Sequence, residues 1–209
     1  CRTGEPGIFL DATGRAYSGE ASQLPPARGD GVPASSLVEV QEGAHILYCL
    51  GGKPGTAVLV ASTGGYGFQS KIADMVSNRK AGREFMTLEE TDTPLAPFVY
   101  EESAGNFVAA LSEGGRLLLF AIAELKYQPR GRGTIVMGLD EGDRLFAVAV
   151  SDQPKLIVRG VNRNGKEKEL VLQKDKLAHH VLKRARMGRV LPEKLKPTAL
   201  VVSVKPSTP

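Results

Sequence analysis

The sequence FVAALSEGGRLLLF (residues 107–120) decides the fold, because it places two apolar runs on either side of a glycine turn. Apolar runs of four to eight residues bounded by turn residues are typical of β-strands. Gly114 and Gly115 lie between the runs, and glycine readily adopts the positive φ that tight hairpin turns require. The stretch therefore predicts two antiparallel strands joined in a hairpin.

The same hairpin recurs through the whole chain at a period near 50 residues. The second glycine of the turn stands at Gly14, Gly65, Gly115 and Gly165, so the intervals are 51, 50 and 50 residues. An apolar strand precedes each turn, at residues 8–10, 57–60, 107–111 and 156–158. A fixed period of this length is typical of repeat architectures such as propellers.

Two further features keep the same interval. A long apolar side chain follows about ten residues after each turn, at Leu24, Met75, Leu125 and Leu177. A basic glycine loop comes next, at Arg28-Gly29-Asp30-Gly31, Arg79-Lys80-Ala81-Gly82 and Arg130-Gly131-Arg132-Gly133, with Leu37, Leu88 and Leu139 six residues after the final glycines. The fourth unit carries residues 183–189 (KRARMGR), displaced by a few positions. Three features in one register indicate a true repeat.

Each unit also contains a strand that enters after the basic loop and a last apolar strand, such as residues 144–150. Four strands in about 50 residues match the strand count and the length of a propeller blade. We therefore expect an all-β, propeller-like chain with one domain over residues 1–205 and a tail at 206–209. The expected repeat units are about 1–50, 51–101, 102–152 and 153–205. A short helix within residues 175–186 is also expected.

The composition agrees with an ordinary globular chain. Hydrophobic residues make up 42% and charged residues 24% of the 209 positions, and no apolar run approaches the roughly 18 residues of a membrane-spanning helix. The start of the chain has neither an initiator Met nor secretory signal features, so we expect it to be a piece of a longer protein. Cys1 and Cys49 lack the close partners of a zinc site, and a reducing compartment fits them.

Motifs for chemistry are missing. The stretch at residues 51–55 lacks the order of a phosphate-binding loop, and no nucleophile elbow is found. His45, His179 and His180 do not have metal-ligand spacing. The acidic pairs at residues 89–90 and 101–102 are interpreted as solvated loop charges. The sequence therefore predicts no catalytic centre, no metal and no cofactor in this domain.

Charge is distributed unevenly along the chain. Residues 1–150 hold 13 Lys and Arg against 18 Asp and Glu, a net charge of −5, whereas residues 151–209 hold 14 against 5, a net charge of +9. A basic segment of this kind is typical of contact with a polyanion. Charge alone would favour the plainer interpretation, a solvated face or a flexible tail.

The repeated chemistry is Arg or Lys beside Gly in a loop. Glycine allows a backbone to approach a phosphate closely, and the Arg guanidinium offers a planar fork to phosphate oxygens. Such loops at the same place on successive blades would form a curved row of positive charge that suits a bent duplex. Phosphate contacts of this kind position DNA without reading its sequence. The alternative is that the loops are exposed turns of a propeller that binds protein.

Six stretches of the chain form a recognisable set: residues 14–17 (GRAY), 27–31 (ARGDG), 61–68 (ASTGGYGF), 79–82 (RKAG), 131–139 (GRGTIVMGL) and 183–189 (KRARMGR). Together they resemble the C-terminal domain of bacterial type IIA topoisomerase A subunits, and the resemblance covers nearly the whole chain. It is closer to the topoisomerase IV family (ParC) than to the sister gyrase A family, whose QRRGGKG box has no counterpart here. The gyrase A family, which wraps DNA, remains an alternative.

The resemblance implies a β-pinwheel of about four to five blades, in which neighbouring blades exchange a strand and DNA bends around the outer rim. Loop cations are then the DNA-facing candidates, and cations at the hairpin turns are second choices. Unit one has a single loop cation beside Asp30 and is expected to bind most weakly, and unit four most strongly. The loop candidates are Arg28, Arg79, Lys80, Arg83, Arg130, Arg132, Lys183, Arg184, Arg186 and Arg189, and the turn candidates are Arg15, Arg116 and Lys166.

The resemblance also implies a non-catalytic role. The family cleaves DNA through a tyrosine that follows an arginine, and none of the five tyrosines here follows one. The domain would instead capture double-stranded DNA for ATP-dependent relaxation and decatenation by a parent enzyme. In that enzyme Mg²⁺ is the metal, and the ParE partner binds ATP. The implied location is the bacterial cytoplasm, at the nucleoid, with no membrane contact.

Overall fold

A computed structural model gives the fold, and it describes residues 5–20, 32–33, 36–103, 106–152 and 155–202. The strands lie in four antiparallel sheets, each of which forms one blade, so the expected all-β fold is confirmed. The candidate Arg28, the first basic loop and the predicted tail at 206–209 lie outside the described residues.

Blades one and two each contain four strands. In order from the inner to the outer edge, blade one contains β3 (Ile46–Gly51), β1 (Pro6–Asp11), β2 (Arg15–Glu20) and β6 (Arg83–Glu84). Blade two, in the same order, contains β7 (Phe98–Tyr100), β4 (Ala57–Ala61), β5 (Tyr66–Lys71) and β10 (Thr134–Ile135).

Blade three repeats this order, and blade four lacks the outermost strand among the described residues. Blade three contains β11 (Leu145–Ser151), β8 (Phe107–Ser112), β9 (Arg116–Ala121) and β14 (Arg189–Val190). Blade four contains β15 (Lys196–Val202), β12 (Lys155–Val161) and β13 (Glu167–Gln173).

A short helical turn follows the hairpin in three units. These turns are α1 (Ile72–Met75), a 3-10 turn (Ile122–Glu124) and α2 (Lys174–Ala178). Each positions one long apolar side chain in the core, namely Met75, Leu125 and Leu177, which are 0%, 2% and 6% exposed. The helix expected within 175–186 is therefore confined to its beginning. The loop that follows includes Ala185 at φ +66°, which a right-handed helix does not accommodate.

Strand exchange joins each blade to the next unit of the chain. The outermost strands β6, β10 and β14 follow the basic loops of units two, three and four, but they pair with β2, β5 and β9 of the preceding blade. The exchange implied by the family resemblance is therefore confirmed for blades one to three.

The exchange depends on a glycine at the end of each basic loop. Gly82, Gly133 and Gly188 have φ of +61°, +80° and +69°. A Cβ at these positions would lie 2.6, 2.3 and 2.7 Å from backbone oxygens of the preceding blade, and real Cβ atoms do not approach so closely. The backbones of neighbouring units can meet there only because the side chain is absent. Gly188 also identifies the displaced loop of unit four as equivalent to the other two.

The core lies between consecutive blades rather than inside one sheet. Side chains alternate along a strand, so Val58 and Val60 of β4 pack towards blade one, whereas Leu59 and Ala61 pack towards blade three. A third cluster, with Leu111 and Leu156, joins blades three and four. Among the described residues no cluster joins blade four to blade one.

The outward faces of the two end blades differ in what covers them. On blade one, Phe9 and Tyr17 lie under Val38 and its neighbours from the connector after the first loop. On blade four, Arg159 and Glu169 form an exposed ion pair at 2.9 Å. Terminal units of a repeat array need a covered or polar outer face, because no further unit packs on them.

We expect Gly133→Ala to destabilise the fold far more than Gly142→Ala. Both glycines have a positive φ, +80° and +78°, but a Cβ at Gly142 meets no atom within 4 Å. In the control, Gly142→Ala, the free energy of unfolding should therefore fall only by the strain energy of an alanine at positive φ, about 1–2 kcal/mol. The free energy of unfolding should fall further in Gly133→Ala, because the exchanged segment must move away from the carbonyl of Gly67. Urea unfolding measures both, and equal losses would contradict the close-contact role.

Candidate nucleic-acid interface

The basic loops lie on the outer edges of blades one, two and three. Each loop immediately precedes an exchanged strand, so the loop of unit two lies on blade one and the loop of unit four lies on blade three. The loops are therefore displaced by one blade from the units that contain them in the sequence. The outer edge of blade four is β13, which begins with Glu167, Lys168 and Glu169.

Backbone hydrogen bonds join each loop region to the next. Each described pair of neighbouring loops is linked, with donor–acceptor distances between 2.9 and 3.2 Å. The loops thus form one connected row along the outer edge, and we call this row the rim. The bonds run from the N–H of Glu39 to the oxygen of Lys80, from Gly131 to Phe85, from Thr87 to Gly131, from Ala185 to Val136 and from Gly138 to Arg186.

The first three blades present a guanidinium at corresponding positions of the rim. On blades one and two, the residue after the turn glycine contacts the residue before the close-contact glycine. Arg15 Nη1 donates to the Ala81 carbonyl at 3.3 Å on blade one, and the Arg132 guanidinium lies 4.0 Å from the ring centre of Tyr66 on blade two. Blades one and three have their arginine directly after the turn glycine, as Arg15 and Arg116, whereas blade two has Tyr66 there and takes its guanidinium from Arg132.

The structure exposes most of the predicted cations. Four candidates are only half-buried, namely Arg15, Arg83, Arg116 and Arg184. The exposed candidates are Arg79, Lys80, Arg130, Arg132, Lys166, Lys183, Arg186 and Arg189.

Two of the half-buried arginines hold the loops in place. The Arg83 guanidinium donates to the carbonyl of Asp74, while its buried Nε finds no partner among the described residues. Arg184 donates to the carbonyl of Ile135 on the neighbouring exchanged strand. Hydrogen bonds to charged donors contribute about 1.5–3 kcal/mol, so these arginines position the rim as well as adding charge to it.

The loop of unit four surrounds an open recess of about 680 Å³. Lys183, Arg186 and Arg189 line the recess together with the apolar side chains of Leu182 and Met187. Three cations around an open recess can contact one anionic group from several directions. Among the described loops, this one concentrates the most positive charge.

Two histidines support this loop, although the sequence alone did not point to them. His179 Nδ1 lies 2.8 Å from Arg189 Nη1 and thereby orients a rim cation. His180 is 2% exposed, with Nδ1 3.3 Å from the carbonyl of Leu117. Burial lowers the pKa of His180, because the protein interior disfavours the charged imidazolium.

Carboxylates next to the rim were also missed by sequence reasoning. Glu89 forms an ion pair with Arg132 at 2.8 Å, and Asp140 forms one with Arg116 at 2.8 Å. Glu89 is exposed, as expected for loop charge, but it is also engaged. Its register offered a signal, since Glu89 and Asp140 each follow one of the repeated leucines.

No group of three or more His, Cys, Asp and Glu side chains that could hold a metal is found among the described residues. In the same part of the chain, no helix has the length and apolar character needed to cross a bilayer. The candidate residues that the structure describes are the cations of the rim.

Comparison with known proteins identifies relatives that share this architecture. Residues 106–152 match the family described as DNA gyrase C-terminal domain, beta-propeller. The A subunit of DNA topoisomerase 4 from Neisseria gonorrhoeae is 40% identical over 186 residues, which cover 86% of this chain and 23% of the relative. Its counterpart from Pseudomonas aeruginosa is 31% identical over 198 residues, covering 91% and 26%.

Solved structures agree with the sequence relatives. The Escherichia coli ParC C-terminal domain superposes with a TM-score of 0.85 at 25% identity, covering 96% of this chain and 82% of that one. A gyrase A C-terminal domain superposes with a TM-score of 0.72 at 19% identity, covering 98% and 67%. At that lower identity the second likeness shows the fold alone.

The exchanged strands and the rim define a β-pinwheel domain of the kind found in type IIA topoisomerase A subunits. Within that class, the chain corresponds to the C-terminal β-pinwheel domain of ParC, the topoisomerase IV member, and is related to the gyrase A domain. The chain spans about a quarter of the length of the curated relatives it matches.

We expect the stability of the domain to fall as the pH drops below the ordinary histidine pKa of about 6.5. The unfolded chain binds a proton at His180 in that range, whereas the folded chain resists protonation there. The stabilisation is thus present above pH 6.5 and is lost at up to about 1.4 kcal/mol per pH unit below it. Urea unfolding between pH 7.5 and 5.5 should show a shallower dependence for His180→Gln. An identical dependence in both proteins would contradict this role.

Proposed function

We propose that the chain is an accessory DNA-binding and DNA-bending domain of a topoisomerase IV enzyme. The observation that carries the proposal is the connected rim, in which basic loops from successive units lie on the outer edges of successive blades. A single basic loop is common on protein surfaces, whereas a regular row of them matches the repeating phosphates of a duplex.

The chemistry of the rim favours the DNA backbone over the bases. Arg offers two parallel donors to phosphate oxygens, and such contacts carry no sequence information directly. The first three blades present a guanidinium at corresponding positions, so a duplex that follows the edge would meet cations at regular steps. Smooth bending of a 20–30 bp site costs of order 1–6 kcal/mol, and several phosphate contacts together offset such a cost.

The contacts should differ in strength along the rim. The loop at residues 183–189 contains Lys183, Arg184, Arg186 and Arg189 and surrounds a recess. The loop on blade two has Arg130 and Arg132, and Arg132 is already paired with Glu89. We therefore expect blade three, which holds the loop of unit four, to contribute most to affinity.

The remaining steps of the parent reaction belong to other parts of the enzyme. We place DNA cleavage, its Mg²⁺ and the ATP-binding ParE partner outside this domain, because none of the five tyrosines follows an arginine. The domain would capture a DNA segment and present it for relaxation or decatenation in the bacterial cytoplasm, at the nucleoid. With a reconstituted parent enzyme, ATP-driven negative supercoiling would instead assign the gyrase A function.

We expect Arg130→Gln/Arg132→Gln to weaken binding to a labelled duplex of about 40 bp and to reduce the salt slope by about 2. Each lost phosphate contact removes about one unit of that slope. The measurement is fluorescence anisotropy across a salt series with two unrelated duplex sequences, which should give similar results.

The matched control is Lys155→Gln/Arg159→Gln, which removes the same charge from β12 of blade four, away from the three loops. It should weaken binding less and leave the slope nearly unchanged. Equal effects of the two double variants would show that net charge and not the rim determines binding. Absence of salt-dependent binding by the unmodified domain would favour a protein-binding propeller.

A further inference from the structure

Carboxylates that follow the exchanged strands reach across the junctions between blades. On blade one, Leu88 lies over the hairpin turn, where a Cβ built at Gly14 would be 3.2 Å from its side chain. Glu89 comes directly after Leu88, and its carboxylate meets Arg132 of blade two at 2.8 Å. Glu89 therefore links the segment that covers the hairpin turn of blade one to the rim cation Arg132 of blade two.

The same arrangement recurs one blade further along. Leu139 lies over Gly65 of blade two, at 3.1 Å from a Cβ built there. Asp140 follows it and meets Arg116 of blade three at 2.8 Å. Glu89 and Asp140 both stand seven residues after a close-contact glycine, so the register that places the loops also places the acids. Glu193 also forms an ion pair with Lys168 of blade four at 2.9 Å, but it stands five residues after Gly188 and so lies outside this register.

Each acid occupies the place that a DNA phosphate would need. The Arg132 guanidinium has the Tyr66 ring on one face, and its Nη1 donates to the Glu89 carboxylate. A phosphate that takes the same donors must displace that carboxylate, because both anions seek the fork of the guanidinium. Arg116 Nε faces Asp140 in the same way.

Exchange of partners is physically accessible at both junctions. The side chains of Arg132 and Glu89 are 43% and 59% exposed, and those of Arg116 and Asp140 are 30% and 47% exposed. Ion pairs at this exposure contribute little to stability. They can therefore open without disturbing the blades, while their attraction still opposes any competing anion.

We propose that Glu89 and Asp140 are intramolecular competitors of DNA phosphate that lower the affinity of the rim at two blade junctions. The inference rests on the proposed DNA-binding function, and it gives these acids the role of setting the affinity of the rim for DNA. A duplex that follows the whole rim must open both pairs, whereas one that contacts only the loop on blade three and its exposed cations need not. The acids thus favour partial engagement and make full bending conditional on many simultaneous contacts.

The decisive comparison uses neighbouring residues as controls. Glu89→Gln/Asp140→Asn removes the two competing charges, and Glu90→Gln/Glu141→Gln removes two charges from adjacent exposed positions with no ion pair among the described residues. Both variants change the net charge equally. Anisotropy with a 40 bp duplex at fixed salt measures affinity, and thermal unfolding checks that both variants fold like the unmodified domain.

We expect the Glu89/Asp140 variant to bind more tightly than its control by about 2- to 25-fold, because each exposed ion pair contributes about 1.4- to 5-fold. The Glu89→Gln gain should disappear in an Arg132→Gln background, as coupling between two partners requires. Equal gains in both double variants, or a gain that persists without Arg132, would overturn the competitor role while leaving DNA binding intact.

A different outcome separates this inference from the proposed function. If the unmodified domain shows no salt-dependent DNA binding and the Arg130/Arg132 variant behaves identically, the DNA-binding function itself fails and the competitor role fails with it. If the unmodified domain binds DNA and only the Glu89/Asp140 comparison is negative, the function stands and the acids serve solely as contacts between blades.

Discussion

The close contact between a loop glycine and the strand of the preceding blade is the constraint on which the structure depends. At Gly67, Gly133 brings two backbones so near that a Cβ would lie 2.3 Å from an oxygen. This contact determines where β10 joins blade two, and the equivalent contacts determine where β6 and β14 join blades one and three. The position of the rim follows from it, because each described basic loop enters its exchanged strand through that glycine.

The chain combines an apolar interior with a cationic edge whose charge is partly neutralised by neighbouring acids. Consecutive blades share clusters of Val, Leu and Ala, and these clusters supply the hydrophobic stabilisation. The edge carries the arginines, but near blades two and three their charge is partly met by Glu89 and Asp140. Glu89 and Asp140 are two of the 18 Asp and Glu residues that make residues 1–150 acidic in total, although this part of the chain also contains two of the described basic loops.

Much of the fold was predictable because glycine and apolar residues follow strict local rules. The turn glycines, the apolar strands and the basic loops all keep one interval, so the blade repeat could be read from residue spacing. The displacement of loops by one blade could not be, since pairing between β6 and β2 is a long-range contact. Three side-chain contacts could not be predicted either, because they depend on packing across units. They are the hydrogen bond from Arg83 to the Asp74 carbonyl, the stacking of Arg132 on Tyr66 and the contact of His179 with Arg189. The family resemblance predicted that neighbouring blades exchange a strand, and the strand pairing in the structure shows which strands are exchanged.

Strand exchange also bears on how such chains gain or lose repeats. Every internal unit donates one short strand to the blade before it and receives one from the unit after it. A duplicated unit would therefore leave no vacancy at either of its borders, since donation and receipt both continue across the new copy. Only the last blade of a series lacks a donor, as blade four does among the described residues. The architecture is thus tolerant of changes in length during evolution, and each added copy would lengthen the cationic edge by one step without redesign of its neighbours.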